Sequence, residues 1–205
     1  MADPTPISSL NEPVSFSLIF NKKPLPVDYI VYSASVTKEV NKIGRACIKI
    51  LGGDPYLNSF DEAESNEFKP GTDVEIKMGY DQSNTTVFKG IVEKNGLSIR
   101  EGFYKSKEKR LLVIDCVDKA IEMTKTYTSE IYEKKKDSEI ITALIAKAGL
   151  TKTVTATTLK HPFLPKYNSN DWDFILQRAT VNGLIVINTD NSIVVKKPAG
   201  TGSST

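Results

Sequence analysis

The amino-acid sequence predicts an α+β fold, mainly β, in which an antiparallel tube-like β-barrel is followed by a small α/β subdomain. From Val14 to about Val117, short runs of period-two or continuous apolar character alternate with turn residues, which is typical of antiparallel strands in a barrel or sandwich. After Asp118, two helical patterns are interleaved with strand patterns. We therefore expect a barrel domain over residues 14–118, an α/β subdomain over 119–198, and flexible termini at 1–13 and 199–205.

The first strands are expected to form hairpins. The run VSFSLIF has an apolar face made of Val14, Phe16, Leu18 and Phe20. The NKKPLP segment after it is predicted to turn, because its two prolines keep it out of a strand ladder. The strands DYIVYSASVTKEV and RACIKIL flank the turn residues NKIG, which predicts a hairpin.

The later barrel strands follow a tight turn, FKPG, whose proline and glycine are the signature of type II. In the next strand, TDVEIKMGY, we expect one face to point inward: Val74, Ile76, Met78 and Tyr80. The strands TVFKGIVEKNGLSIRE and LLVIDCVDKA complete the set, and Gly90 predicts a bulge or sharp bend in the former. Before the turn, Ser59 and Glu62 have the spacing that caps a short helix.

Two amphipathic helices dominate the second half. We expect Asp137 or Ser138 to cap SEIITALIAKAG, and Ser169 or Asn170 to cap DWDFILQRATVNG. A glycine at the end of each run favours a helix C-terminus. Between the helices, TKTVTATT is a predicted strand and HPFLPKYN is expected to be extended. The final hairpin pairs LIVIN with SIVVKK around the turn TDN.

Composition argues against several classes of function. Lys and Arg total 27 against 25 Asp and Glu, and a formal net charge of +2 does not indicate nucleic acid or an anionic membrane as a partner. The basic stretches Lys105–Arg110 and Lys134–Lys136 are accompanied by acids and predict solvated loops. We expect no signal peptide and no membrane anchor. Cys47 and Cys116 lack CxxC spacing, and we expect both to be buried thiols.

The sequence contains no catalytic, cofactor-binding or metal-ligating constellation that we recognise. His161 is the only histidine and precedes a proline, so we expect it to be structural or exposed. The nucleophile elbow, the phosphate-binding loop and the dinucleotide fingerprint are absent. Three groups of acidic residues remain: Asp171 with Asp173, Asp115 with Asp118, and Asp61, Glu62 and Glu64. The first group lies in the first turn of a predicted helix, where the helix dipole explains it without a substrate.

Two sequence blocks resemble a known family. The first, from Phe68 to Thr124, contains FKPGTDVEIKMGY, VFKGIVEKNGLSI and LLVIDCVDKAIEMT, and the second is KYNSNDWDFILQRATVNGLIVI. Both are similar, in the same order, to the N-terminal hub portion of VgrG-type spike proteins of type VI secretion systems and of phage tail baseplate hubs. In the second block, the residues that match the family pattern are Tyr167, Asn168, Asp171, Asp173, Phe174, Arg178 and Gly183.

The resemblance implies a structural hub module in the spike of a contractile injection system, joining the tube end to the spike. In the family, each chain supplies two β-barrels related to the tube protein and three chains assemble as a trimer, so that six barrels face a hexameric tube ring. The implied partners are further copies in a homo-oligomer, the hexameric tube protein and a downstream spike or tip protein. From the sequence we expect a departure from the family pattern: at most one barrel, and neither an OB-fold stalk nor a β-helical spike in the chain as given.

Two other functions stay open. Paired carboxylates can act as the acid and base of a glycosidase, so a hub-associated cell-wall hydrolase is the second hypothesis. An independent small binding module is the third. We expect that the chain is not an enzyme and that no cofactor is needed. We also expect that it is cytoplasmic during assembly and exported by the injection machine.

Overall fold

The computed structural model describes residues 14–51, 66–80, 83–100 and 109–199. The strands of the first half are β1 (Val14–Phe20), β2 (Lys23–Pro24), β3 (Ile30–Thr37), β4 (Arg45–Leu51), β5 (Asp73–Tyr80), β6 (Ser83–Arg100) and β7 (Lys109–Val117). The second half contains β8 (Tyr127–Lys136), α1 (Asp137–Lys147), β9 (Thr151–Val154), β10 (Lys160–Asn170), α2 (Asp171–Val181), β11 (Ile185–Thr189) and β12 (Ser192–Lys196). Short 3-10 helices lie at Asn66–Phe68 and Lys119–Thr124.

The first seven strands form one antiparallel sheet in the order β2-β1-β5-β6-β7-β4-β3. Their inward side chains meet in one buried cluster, whose large members include Phe20, Ile48, Ile76, Phe88 and Ile114. Because strands near both ends of the sheet contribute to one core, the sheet is curled around that core, as in a barrel. Phe68 joins this first cluster, with its ring 5.0 Å from that of Phe20 in an edge-to-face contact.

The second half has its own buried cluster. Strands β8 and β10 pair as an antiparallel ribbon, and β9, β11 and β12 form a sheet in which β12 is parallel to β9. Both helices bury their apolar stripes in this second cluster, which includes Ile141, Ile145, Trp172, Ile175 and Val186. The structure therefore places two hydrophobic cores in one chain, the first inside the curled sheet and the second beneath the helices.

The α+β, mainly β fold class is confirmed, with the antiparallel sheet first and the α/β arrangement after it. The predicted residue limits of the two domains stay a prediction. Three glycines predicted to end a turn or a helix have positive φ: 91° at Gly71, 71° at Gly149 and 66° at Gly183. Asn170 caps α2 as predicted, because its side chain accepts a hydrogen bond from the backbone N–H of Asp173.

Several local predictions were wrong. Pro24 does enter a ladder, because Asn21 and Lys22 form a two-residue turn with positive φ that lets β2 pair with the end of β1. The apolar faces predicted for β1 and β5 are buried only in part. At the end of the sheet where β1 begins and β5 ends, Val14, Phe16 and Tyr80 are exposed. The short helix predicted near Ser59 lies outside the described residues.

The start of the second half also differs from the prediction. The N-cap of α1 is Lys136, so neither of the predicted caps, Asp137 and Ser138, is the cap; they are the first two helical residues. Strand β8 was not predicted, because its lysine-rich end resembles a solvated loop. Its first six residues nevertheless alternate between the exposed and half-buried classes, as expected for a strand with one face on the core.

The irregularity predicted at Gly90 has a clear physical reason. The pairing of β6 shifts on either side of it, with extra residues at Val87 and Glu93. At Gly90 itself, a Cβ atom would lie 2.3 Å from the carbonyl oxygen of Val117. Glycine is therefore required where β6 passes close to the end of β7.

Candidate functional site

The most extensive polar contact between the two halves is made by the β11–β12 turn. Asp190 and Asn191 form this turn with φ values of 53° and 64°. The backbone N–H of Asn191 donates to the Asp118 carboxylate at 2.7 Å, and that of Lys89 donates to Asp190 at 3.0 Å. The Lys38 ammonium lies 2.9 Å from the Asp190 carboxylate. The turn is thus bonded to three places in the first half: the end of β7 at Asp118, β6 at Lys89 and the end of β3 at Lys38.

Two asparagines continue this contact. Asn41, in the β3–β4 connection, donates its backbone N–H to the Val186 carbonyl at 2.7 Å and accepts the Val186 N–H on its side chain at 2.8 Å. Asn188, which is buried, accepts the backbone N–H of Gly44 at 2.9 Å. We call Asn41, Asp118, Asn188, Asp190 and Asn191 the junction. Its hydrogen bonds to backbone N–H groups fix the orientation of the second half on the sheet.

A buried carboxylate, Asp137, is the centre of the densest polar network in the described part of the chain. Arg178 binds it in bidentate fashion, with Nε–Oδ1 at 2.5 Å and Nη2–Oδ2 at 3.0 Å. His161 Nε2 lies 3.0 Å and Asn182 Nδ2 2.9 Å from the same carboxylate. Burial raises the pKa of Asp137, but the hydrogen bonds from Arg178, His161 and Asn182 outweigh burial and hold the pKa well below its usual range.

This network joins three elements, since Asp137 begins α1, His161 is near the start of β10, and Arg178 and Asn182 are at the end of α2. His161 is half-buried and structural, as predicted, although it lies in a strand. Both oxygens of the Asp137 carboxylate accept hydrogen bonds from groups of this chain, so we interpret the network as a structural contact between the three elements. The sequence alone did not indicate it, because Asp137 and Arg178 are 41 residues apart.

The acidic groups predicted from the sequence have separate surroundings. Asp171 pairs with the buried ammonium of Lys166, and Asp173 bonds the N-cap residue Asn170. Asp115 lies 3.5 Å from the Lys94 ammonium, whereas Asp118 caps the 3-10 helix and holds the junction. The group Asp61, Glu62 and Glu64 lies outside the described residues. Helix-end and ion-pair contacts therefore account for the four described carboxylates.

The remaining candidate residues have structural surroundings. Cys116 is buried, as predicted, but Cys47 is only half-buried, because it lies on the outer side of β4. Lys134 to Lys136 end β8 instead of forming a loop, and most of the stretch Lys105–Arg110 lies outside the described residues. Within residues 14–51, 66–80, 83–100 and 109–199, no group of three His, Cys, Asp or Glu side chains is placed to hold a metal ion. No helix in those ranges is long and apolar enough to cross a membrane.

The fold is shared with solved proteins of phage tails and of a secretion system. The 43 kDa tail protein of prophage MuSo2 from Shewanella oneidensis is similar with a TM-score of 0.68 and 12% identity, over 93% of this chain and 55% of that protein. A tail protein from Neisseria meningitidis MC58 has a TM-score of 0.61 and 13% identity, over 89% and 50%. The E. coli c3393 protein, a type VI secretion component with structural similarity to the T4 bacteriophage tail proteins gp27 and gp5, has a TM-score of 0.55 and 11% identity, over 90% and 47%.

This chain therefore spans about half the length of the solved proteins that it resembles. No curated protein matches it in sequence. The model of a family described as the Alg8 N-terminal domain matches residues 11–205. Because this match covers nearly the whole sequence, the chain belongs to the Alg8 N-terminal domain family.

Proposed function

We propose that the chain is a structural hub module in the spike of a contractile injection apparatus, with the VgrG-type N-terminal hub as its counterpart. The observation that carries the proposal is the fold likeness to phage tail proteins and a type VI secretion component, which extends over about nine-tenths of this chain. Only about a tenth of the chain lies outside that likeness, which therefore includes residues of both hydrophobic cores.

The junction supports this role. A module that connects a tube to a spike must keep one geometry while force passes through it. Here, the side chains of Asn41, Asp118, Asn188 and Asp190 bond between the two halves, and most of their partners are backbone N–H groups. This arrangement is suited to a rigid connection.

We infer further that the chain acts without catalysis. The described carboxylates that could form a glycosidase pair are engaged by lysines, caps or backbone N–H groups, and the Asp137 carboxylate is fully bonded. Purified protein incubated with peptidoglycan should release no soluble fragments. Cleavage that disappears when one described carboxylate is changed to its amide would favour the hydrolase hypothesis instead.

In this proposal, the partners are the hexameric tube protein, further copies in a three-fold hub and a downstream spike or tip protein. The chain would be assembled in the cytoplasm and exported by the machine. Mixing the full chain with the tube protein of the same system, followed by electron microscopy, should show density capping the tube ends. Bare tube ends at high concentrations of both proteins would argue for an independent binding module.

A further inference from the structure

The ribbon formed by β8 and β10 exposes a mainly apolar outer face. Its inner face packs on the second cluster, where the ring of Tyr132 stacks on that of Phe174 at 5.9 Å. Its outer face exposes Tyr127, Ile131, Phe163 and Tyr167 to 62%, 69%, 69% and 83%, and Pro165 is also exposed. We call these five residues the outer ribbon face. The same face also carries the polar residues Ser129 and Glu133. Strands with one solvated face normally place mostly polar side chains there, so an outer face with five apolar residues is unusual and favours a covered surface.

The area of the outer ribbon face is that of a small interface. Its three aromatic residues and Ile131 together expose roughly 500 Å², taking a side-chain area of about 200 Å² for each large residue. Patches of this size are at the upper end for monomeric proteins. Two copies stacked through it would bury about 1,000 Å², which is the lower limit for a specific protein interface.

The pairing register makes this face complementary to itself. Pro165 pairs with Ile131 across the ribbon, near the middle of the exposed apolar row. If a second ribbon is stacked antiparallel about a two-fold axis at that pair, Phe163 of one copy lies over Tyr167 of the other, because each is two residues from Pro165. Glu133 likewise lies over the other copy's Ser129, since each is two residues from Ile131. An aromatic pair and a polar contact between a carboxylate and a hydroxyl then occur twice.

We propose that the outer ribbon face is a contact surface between two copies of this chain. A contact of this kind uses the same patch on both copies and is complete with two, so it cannot build a ring of three. It is therefore additional to the three-fold hub of the proposed function. Its area is that of a weak or transient contact, so we expect the association to be reversible.

A residue near the two-fold axis faces its own counterpart, which gives a direct test. Stacked sheets are about 10 Å apart, too far for most disulfides, so a short bismaleimide is the suitable cross-linker. In a Cys47→Ser background, Ile131→Cys should yield a cross-linked dimer. Ile30→Cys, with a similar exposure of 63% on β3, should remain largely a monomer. Equal cross-linking of the two variants would overturn the proposal.

Sedimentation equilibrium gives an independent measurement. The wild-type chain should show a monomer–dimer equilibrium, Phe163→Glu should be monomeric, and Val181→Glu, at a site 66% exposed on α2, should behave as wild type. Circular dichroism should show that both variants are folded. A wild-type chain that is monomeric in sedimentation would overturn the proposed contact surface. A Phe163→Glu variant that loses tube capping but associates with itself as wild type does would overturn it as well. Capping by a chain that never dimerises would leave the proposed hub function intact.

Discussion

Replacing Arg178 with methionine should destabilise the second cluster strongly. The Asp137 carboxylate is 1% exposed, and Arg178 supplies two of its four hydrogen bonds. Removing one partner of a buried ion pair leaves a buried charge without compensation and typically costs about 3–5 kcal/mol. Because His161 and Asn182 still donate to the carboxylate, we expect a loss near about 3 kcal/mol at pH 7.

The assay can use the single tryptophan of the chain. Trp172 is buried in α2, the same helix as Arg178, so its fluorescence during urea unfolding reports on the affected cluster. The matched control is the double variant Asp137→Asn with Arg178→Met, which removes both charges and should recover most of the lost stability.

The pH dependence provides a second check. In the wild type, the pKa of Asp137 is lowered by folding, so its stabilisation is complete above the unfolded value of about 3.9 and is lost as pH falls through the folded value. In Arg178→Met, burial remains but the guanidinium is gone, so the pKa of Asp137 should rise above about 3.9. The destabilisation should then be largest at neutral pH and shrink as pH falls. A loss under about 1 kcal/mol at pH 7, or one that is constant with pH, would refute the reasoning.

Three further predictions follow from the packing. Gly90→Ala should lower the free energy of unfolding by about 1–3 kcal/mol or more, measured by thermal denaturation, because its Cβ would overlap the neighbouring backbone. A thiol reagent should label Cys47 in the native protein but Cys116 only after unfolding, because burial raises the pKa of Cys116 to about 12; rapid native labelling of both would contradict this. Asn188→Ala should cost about 1–3 kcal/mol and speed hydrogen exchange at the Gly44 N–H, which loses its acceptor.

The fold could be predicted to a large extent because its strongest signals are local. The alternation in β5 and the apolar stripes of both α-helices depend only on neighbouring residues, and Val74, Ile76, Ile141 and Ile175 are buried as that pattern requires. The sequence-based prediction was wrong where the local preference of a segment differs from the structure that its tertiary contacts impose. Strand β8 ends in three lysines, and it is a strand because it pairs with β10.

The polar network and the junction could not be predicted in the same way. Asp137 or Ser138 was expected to cap the helix, which is a sound local interpretation, but the Asp137 carboxylate bonds Arg178 on the other α-helix. Asn188 and Gly44 are 144 residues apart, and an asparagine in a β-rich segment carries no signal of a partner so remote. Such contacts arise only when two separately formed cores are brought together.

The chemistry of the junction bears on how it would behave in an assembled machine. Salt weakens exposed ion pairs, and Lys38–Asp190 is the kind of contact that it affects. The bonds of Asn41 and Asn188 join uncharged amides to backbone groups, and Asn188 is buried, so screening by ions changes them little. If the hub role is correct, the orientation of the α/β part on the sheet should therefore persist as the ionic environment changes between assembly and firing. A junction that depended mainly on surface charge would not have this property.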